Sequence, residues 1–199
     1  MHLTSAIQQT NLRREQALEA IRTLLDYIGE DPARPGLART PERVLRAWER
    51  DWGLGYRTEP PALPLFVGND INYDELVLVR GIRFFSTCEH HLAPFFGTCD
   101  VCYLPQGGVV GLSKLARVVA HFAQRLQVQE RLTCQIADYL TEHVSRRGVG
   151  VIMRATHFCM VSRGVKQPEA VTVTSALRGA LFDDAKARAE FLHLTREAP

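Results

Sequence analysis

The stretch Cys88-Glu89-His90-His91 restricts this chain more than any other. Three of its residues are of types that bind metal ions, and none of the four helps build an ordinary apolar core. A thiolate and an imidazole three residues apart, Cys88 and His91, can face one ion across a tight turn. Two ligands do not make a site, so the fold must bring another from elsewhere. The run His157-Phe158-Cys159 is the obvious donor, its cysteine seventy-one positions after Cys88. The first stretch follows an alternating strand-like run, Leu76 to Thr87; the second lies in another, Val149 to Val161. Side chains in a strand alternate faces, so His157 and Cys159 are expected on one side and Phe158 on the other. Cys88, His91 and Cys159 then supply three ligands and leave a fourth position for water, the pattern of a catalytic zinc site. The plainer alternative is a small buried cysteine in each strand, with histidines in ordinary structural roles.

A chain of 199 residues makes one domain of good size, or one domain with an N-terminal extension. Its formal charge of +2 is too small to mark a nucleic-acid binder. No apolar run approaches a membrane span, and the N-terminus lacks the apolar core of a signal peptide. The five cysteines, at 88, 99, 102, 134 and 159, are odd in number and scattered. That argues for free thiols in a reducing compartment, the cytoplasm. Cys99 and Cys102 lie in a strand-like run at i and i+3, on opposite faces, and read as structural rather than redox-active.

Residues 3–28 carry Leu12, Ala17, Leu18, Ile21, Leu24, Leu25 and Ile28 at helical spacing, stopped by Gly29. Thr40-Pro41-Glu42 reads as the start of a second helix, with Thr40 as N-cap. Gly and Pro make residues 53–64 a linker, so residues 1–64 are a helical N-terminal region and 65–199 a second domain. From there the pattern is β–β–α–α–β–β: strands at Leu76 to Thr87 and Phe95 to Leu104, and a helix opened by Gly111-Leu112-Ser113 that Ser113 could cap. A second helix from about Val128 is ended by Gly148. Strands at Val149 to Val161 and Ala170 to Leu177 and a closing helix, Asp183 to Leu194, complete an α+β chain with an antiparallel sheet. Two helices cover one face of such a sheet and leave its edges open, so oligomerisation edge to edge is expected.

CEHH after a strand, GLSKLARVV, AQRLQVQERLTCQI, ATHFCMVSRG and the TVTS segment together resemble the GTP cyclohydrolase I family, in order from about Asp74 to Leu194. The resemblance implies a tunnelling fold, in which sheets of several subunits close into a barrel, and a homo-oligomer, typically a toroidal decamer. It implies hydrolysis of GTP at purine C8, release of formate and rearrangement to 7,8-dihydroneopterin triphosphate, the entry to folate and pterin synthesis. Zn2+ would sit on Cys88, His91 and Cys159, lowering the pKa of water towards neutrality. His90 and His157 would be the acid–base pair, with His157 the better candidate for protonating the purine. Glu130 matches the family's guanine anchor, with Gln129 beside it, since one carboxylate can accept both guanine N1–H and the 2-amino group. Ser113, Lys114, Arg117 and Arg163 match its phosphate contacts. Arg46 stands where bacterial members carry a lysine, keeping the charge and changing the geometry. No role carries over to the less typical segment PEAVTVTSALRGALF.

Two other readings compete. One is a non-enzymatic nucleotide- or pterin-binding protein whose structural zinc is closed by His90 or another fourth ligand. The other is the nitrile reductase of deazaguanine synthesis, also a tunnelling fold, which uses a cysteine nucleophile with NADPH and no zinc. The pairing of CEHH with HFC argues against the second.

Overall fold

The computed structural model describes residues 2–66 and 73–196, with side chains from Asn11 onward. The chain divides into two compact units, Met1–Gly53 and Leu54–Pro199. None of the helices in the described residues is long and apolar enough to cross a membrane.

In the first unit, α1 (His2–Tyr27) and α2 (Thr40–Ala47) pack together, and a π-helical turn, Trp48–Trp52, extends α2. Gly29, at φ +93°, takes the left-handed turn after α1 that residues with a Cβ avoid. Arg22 pairs with Glu42 and Arg14 with Glu49 across the helices. Thr40 is not the cap. Arg39 precedes the first turn without a side-chain cap bond, and Thr40 is already helical. Pro41 fits because an N–H there has no intrahelical partner. Of the apolar stripe on α1, Leu18 is buried, but Leu12 and Leu24 are exposed.

The second unit has the expected ββααββ order. Its sheet runs β5-β2-β3-β6-β7, from β2 (Val77–Cys88), β3 (Pro94–Tyr103), β5 (Leu126–Gln127), β6 (Gly148–His157) and β7 (Thr172–Gly179). All pairings are antiparallel except β5 on β2. A separate two-residue ladder joins β1 (Leu65–Phe66) to β4 (Val109–Val110). α3 (Leu112–Ala123) and α4 (Gln129–His143) pack on one sheet face. Their Leu115, Val119, Ile136 and Leu140 bury against Phe95, Val101, Val151 and Met153. The linker-like residues after Gly53 belong to this unit. Gly55 N–H donates to Gln124 O, Leu126 N–H to Tyr56 Oη, and Tyr139 Oη–H to Pro61 O, each at 3.0 Å. Gly55 lies so close that a Cβ there would stand 2.2 Å from His121 O.

Several element ends differ from the sequence reading. Ser113 makes no cap bond; Gly111 precedes α3 instead. α4 ends at His143, and Gly148 opens β6, where a Cβ would press on Leu104 at 2.9 Å. The closing helix is two: α6 (Ala180–Asp183) and α7 (Ala185–Leu194), broken at the extended Asp184, whose carboxylate accepts Lys186 N–H at 2.7 Å. Nor is the second sheet face left bare. Leu181 and Phe191 of these helices bury Cys102 and Ile152 on it. Cys99 lies in the core under α3 and α4 and Cys102 on the other side, and burial pushes both thiols well above their ordinary range.

One irregularity in β2 decides what its end can do. Val79 pairs with Val101 and Ile82 with Cys99, so β2 carries one extra residue between them. Val77 and Val79 contact the helix-side core before this bulge, and Ile82, Phe84 and Cys88 do so after it. The inward positions thus change from odd to even, and Cys88 turns inward because of it. Gly81 sits in the bulge at φ +68°.

Candidate metal centre and purine pocket

Cys88 is the last residue of β2, and the turn after it closes on its backbone. Cys88 N–H donates to Ala93 O at 2.8 Å, and Cys88 O accepts from Leu92 N–H at 2.9 Å. Leu92 is left-handed, φ +53°, a conformation unfavourable for a residue with a Cβ. The turn is also pinned to β5: Cys88 pairs with Gln127, and Glu89 N–H donates to Gln127 O at 3.1 Å. Arg131 of α4 donates to the Glu89 carboxylate, to Gln127 Oε1 and to Leu126 O. That guanidinium, hydrogen-bonded to Glu89, holds its carboxyl below the usual range. Nothing in the sequence reading flagged this pair, because the side chains meet only once β5 lies beside β2.

The thiol of Cys88 lies 3.8 Å from His91 Nδ1 and 4.0 Å from His90 Nδ1. Cys159 completes the group: one donor atom each from Cys88, His91 and Cys159 lies within 4.8 Å of the others. The route of Cys159 is not the expected one. β6 stops at His157, and a helical turn, α5 (Phe158–Val161), follows. Ser162 anchors that turn through its N–H and its hydroxyl, both donating to Phe158 O. Cys159 therefore reaches the cluster from a helical turn and not by strand alternation, while Phe158 packs on Phe96, their centroids 5.9 Å apart. Burial, and then the neighbouring Cys88, push the Cys159 thiol up. Arg163 brings Nη1 to 3.0 Å from His91 Nε2.

His157 lies flat on Phe95, centroids 4.6 Å apart and planes 4° off parallel, because the two residues face each other in the β3–β6 register. Its Nε2 is 2.8 Å from Gln129 Oε1. Burial lowers its proton affinity, and the Glu130 carboxylate pulls the other way. Glu130 is exposed on the first turn of α4. Gln129 differs from the sequence expectation of a substrate contact. It is 1% exposed, and its amide bonds Met153 O, Thr172 O and Thr174 as well as His157.

Residues 17–196 match the family model described as GTP cyclohydrolase I. The chain belongs to the GTP cyclohydrolase I family. Similar curated proteins include GTP cyclohydrolase 1 of Janthinobacterium sp. (strain Marseille), 53% identical over 88% of this chain and 89% of its own. That of Nitrosospira multiformis is 55% identical over 86% and 90%, and that of Aquifex aeolicus 49% identical over 92% and 97%. A solved structure, the apo form of the archaeosine synthase QueF-Like, covers 52% of this chain and 93% of its own at TM-score 0.41 and 18% identity, a likeness too low to carry an argument.

Against the GTP cyclohydrolase I pattern, the fold gathers Cys88, His90, His91, Cys159 and Arg163, while His157, two residues before Cys159, is held by Phe95 and Gln129. It does not join all the expected phosphate contacts to them. Ser113 and Arg117 are exposed and Lys114 partly so on the first turns of α3, and among the described residues none makes a hydrogen bond or ion pair with the cluster. Arg46 is exposed on α2, in the first unit.

Proposed function

We propose that this chain is a zinc-dependent GTP cyclohydrolase, opening the purine of GTP at C8, releasing formate and forming 7,8-dihydroneopterin triphosphate. The observation that carries the reading is the convergence of Cys88, His91 and Cys159 within 4.8 Å in a chain of this family. The donor set fits zinc: two sulfurs and one imidazole nitrogen suit a borderline-soft ion, and three protein ligands leave a position open. Two thiolates this close repel each other, and a divalent cation removes that penalty. When bound, zinc supplies Lewis-acid activation of water near neutral pH.

The remaining chemistry belongs to side chains of the second unit. His157, held under Phe95, protonates the purine imidazole ring. His90, exposed beside Cys88, carries protons during ring opening and later closure. Glu130 accepts guanine N1–H and the 2-amino group together. Arg163 meets the triphosphate beside the metal, and Ser113, Lys114 and Arg117 meet it from the start of α3 in a second copy of the chain. The chain works as a homo-oligomer, for which the family resemblance implies a toroidal decamer, and the sheet edges support oligomerisation. Among the described residues the outer edge of β7 and most of that of β2 are unpaired, and such edges invite strand pairing. Five free cysteines agree with a reducing, cytoplasmic setting.

The test is to incubate zinc-loaded protein with GTP and measure formate and, after oxidation, a fluorescent pterin. Chelation should abolish both and added zinc restore them. GTP turnover without formate would sink the reading.

A further inference from the structure

We propose that Gln129 is a positioning residue that fixes His157 as the Nε2–H tautomer, so that Nδ1 is the ring nitrogen that exchanges a proton with the purine. The assignment follows from hydrogen-bond accounting in a closed, buried network. Gln129 Nε2 faces Met153 O at 3.2 Å, Thr172 O at 3.0 Å and Thr174 Oγ1 at 3.1 Å. Backbone carbonyls only accept, so the NH2 end of the amide must point at them; the flipped amide would set its oxygen against two other oxygens. Thr133 Oγ1 donates to the backbone carbonyl of Gln129 itself at 2.7 Å. Its single proton is spent there, so in the 2.6 Å contact with Thr174 the Thr174 hydroxyl is the donor. Thr174 can then only accept from Gln129. The amide has two protons to share among three acceptors, but each bond it makes can run only outward from Gln129 Nε2.

One end remains. Gln129 Oε1, which can only accept, lies 2.8 Å from His157 Nε2. That nitrogen must therefore carry a hydrogen. The Phe95 stack fixes the plane of the ring, and among the described residues Nδ1 has no hydrogen-bond partner. Resting on the reading of His157 as the acid, the step runs as follows. The imidazolium N–H bond at Nδ1 breaks, an N–H bond forms at the purine nitrogen, and the ring returns to its neutral Nε2–H form. Its bond to Gln129 is kept throughout, so the ring need not turn between accepting and delivering a proton. The same accounting takes Gln129 out of guanine recognition, since both ends of its amide are occupied.

Neutron diffraction from zinc-loaded wild-type crystals in heavy water tests this directly. The crystals are held at about pH 8.5, well above the ~6.5 of an ordinary imidazole. Deuterium is expected on Nε2, aimed at Gln129 Oε1, with Nδ1 bare. Deuterium on Nδ1 with Nε2 bare, or the Gln129 nitrogen turned towards His157, would overturn the proposal. This readout does not depend on GTP turnover, so failure to release formate would remove the proposed function and leave the tautomer standing. Kinetics of Gln129→Met add a second readout. The expected result is a kcat loss of about 100-fold with KM for GTP within about threefold and zinc content unchanged, because the side chain aligns the acid and does not touch the base. A raised KM with kcat retained would make Gln129 a guanine contact and overturn the assignment.

Discussion

The bulge in β2 has a cost and a consequence that can be measured separately. Asp100 on β3 holds it: Asp100 is 3% exposed, its Oδ1 accepts Gly81 N–H at 2.8 Å, and its Oδ2 accepts Arg154 Nη1–H at 2.6 Å. Asp100→Ala removes both. Hydrogen bonds to a charged group contribute about 1.5–3 kcal/mol each. Both partners are open enough to water to recover part of that, and Arg154 keeps a contact with Thr195 O at 3.4 Å. We expect a loss of about 2–4 kcal/mol after that discount. Gly81→Ala isolates the backbone. Nothing lies within 4 Å of the added Cβ, so the cost is the left-handed conformation alone, about 1–2 kcal/mol. Urea denaturation at fixed protein concentration, which matters for an oligomer, should rank Asp100→Ala as the more damaging. Deleting Gly81 tests the consequence. Without the extra residue, Ile82, Phe84 and Cys88 fall two, four and eight positions after Val79, so plain alternation with both registers kept leaves them on the same face. The deletion protein, where circular dichroism shows it folded, should therefore keep its zinc by elemental analysis, the bulge being needed only while the extra residue is present. Loss of zinc from a folded deletion protein would refute the phase argument, and a loss below about 1 kcal/mol in Asp100→Ala would show that water replaces the carboxylate.

Cys159→Ser should lose most of its zinc and formate release while remaining folded; full metal occupancy would remove Cys159 from the ligand set. Glu130→Gln should leave zinc content unchanged and weaken GTP binding by roughly 2–4 kcal/mol, since its amide meets one guanine donor with another donor; isothermal titration would read less than about a threefold loss if Glu130 were only a solvated acid. Zinc affinity should fall as pH falls, by about tenfold per pH unit for each thiol that must lose a proton. The sign follows from the proton that ligation must displace, and the Cys159 thiol, pushed up by burial and then by Cys88, keeps that proton to higher pH than a free cysteine. Competition with a chromophoric chelator across pH would show it, and a flat profile would count against thiolate ligation.

Much of this was legible in the residues. The ββααββ order followed from periodicity, and the ligand group followed from two short motifs whose residue types suit one ion. Cys99 and Cys102 could be set aside because strand alternation sends i and i+3 to opposite faces, and they lie in different clusters. The misses share a cause. Thr40, Ser113 and Gly148 were read from local preference, yet each sits one or more residues from the end it was meant to mark. Caps depend on backbone angles that tertiary packing can shift by a residue at little cost. The closing helices were read as one because Asp184 looks the same in the middle of a helix as at its start.

The larger difference concerns Gln129 and Cys159, whose observed geometry is not the one local rules predict. Cys159 was assigned through strand alternation but arrives on a helical turn. Gln129 stands next to Glu130 and was grouped with it, yet consecutive helical positions point about a quarter turn apart. Glu130 is left on the surface, while Gln129 is driven into the sheet, where only β6 and β7 supply acceptors for its amide. On the proposed reading, that division gives the start of α4 two distinct tasks one residue apart. The outward carboxylate is free to meet a ligand, and the inward amide is committed to the imidazole. A pocket that moves protons needs both, because a base read at one edge must meet an acid whose ring cannot turn. Their adjacency makes the two tasks mechanically linked: a shift of α4 that moves the Glu130 carboxylate also moves the acceptor that holds His157.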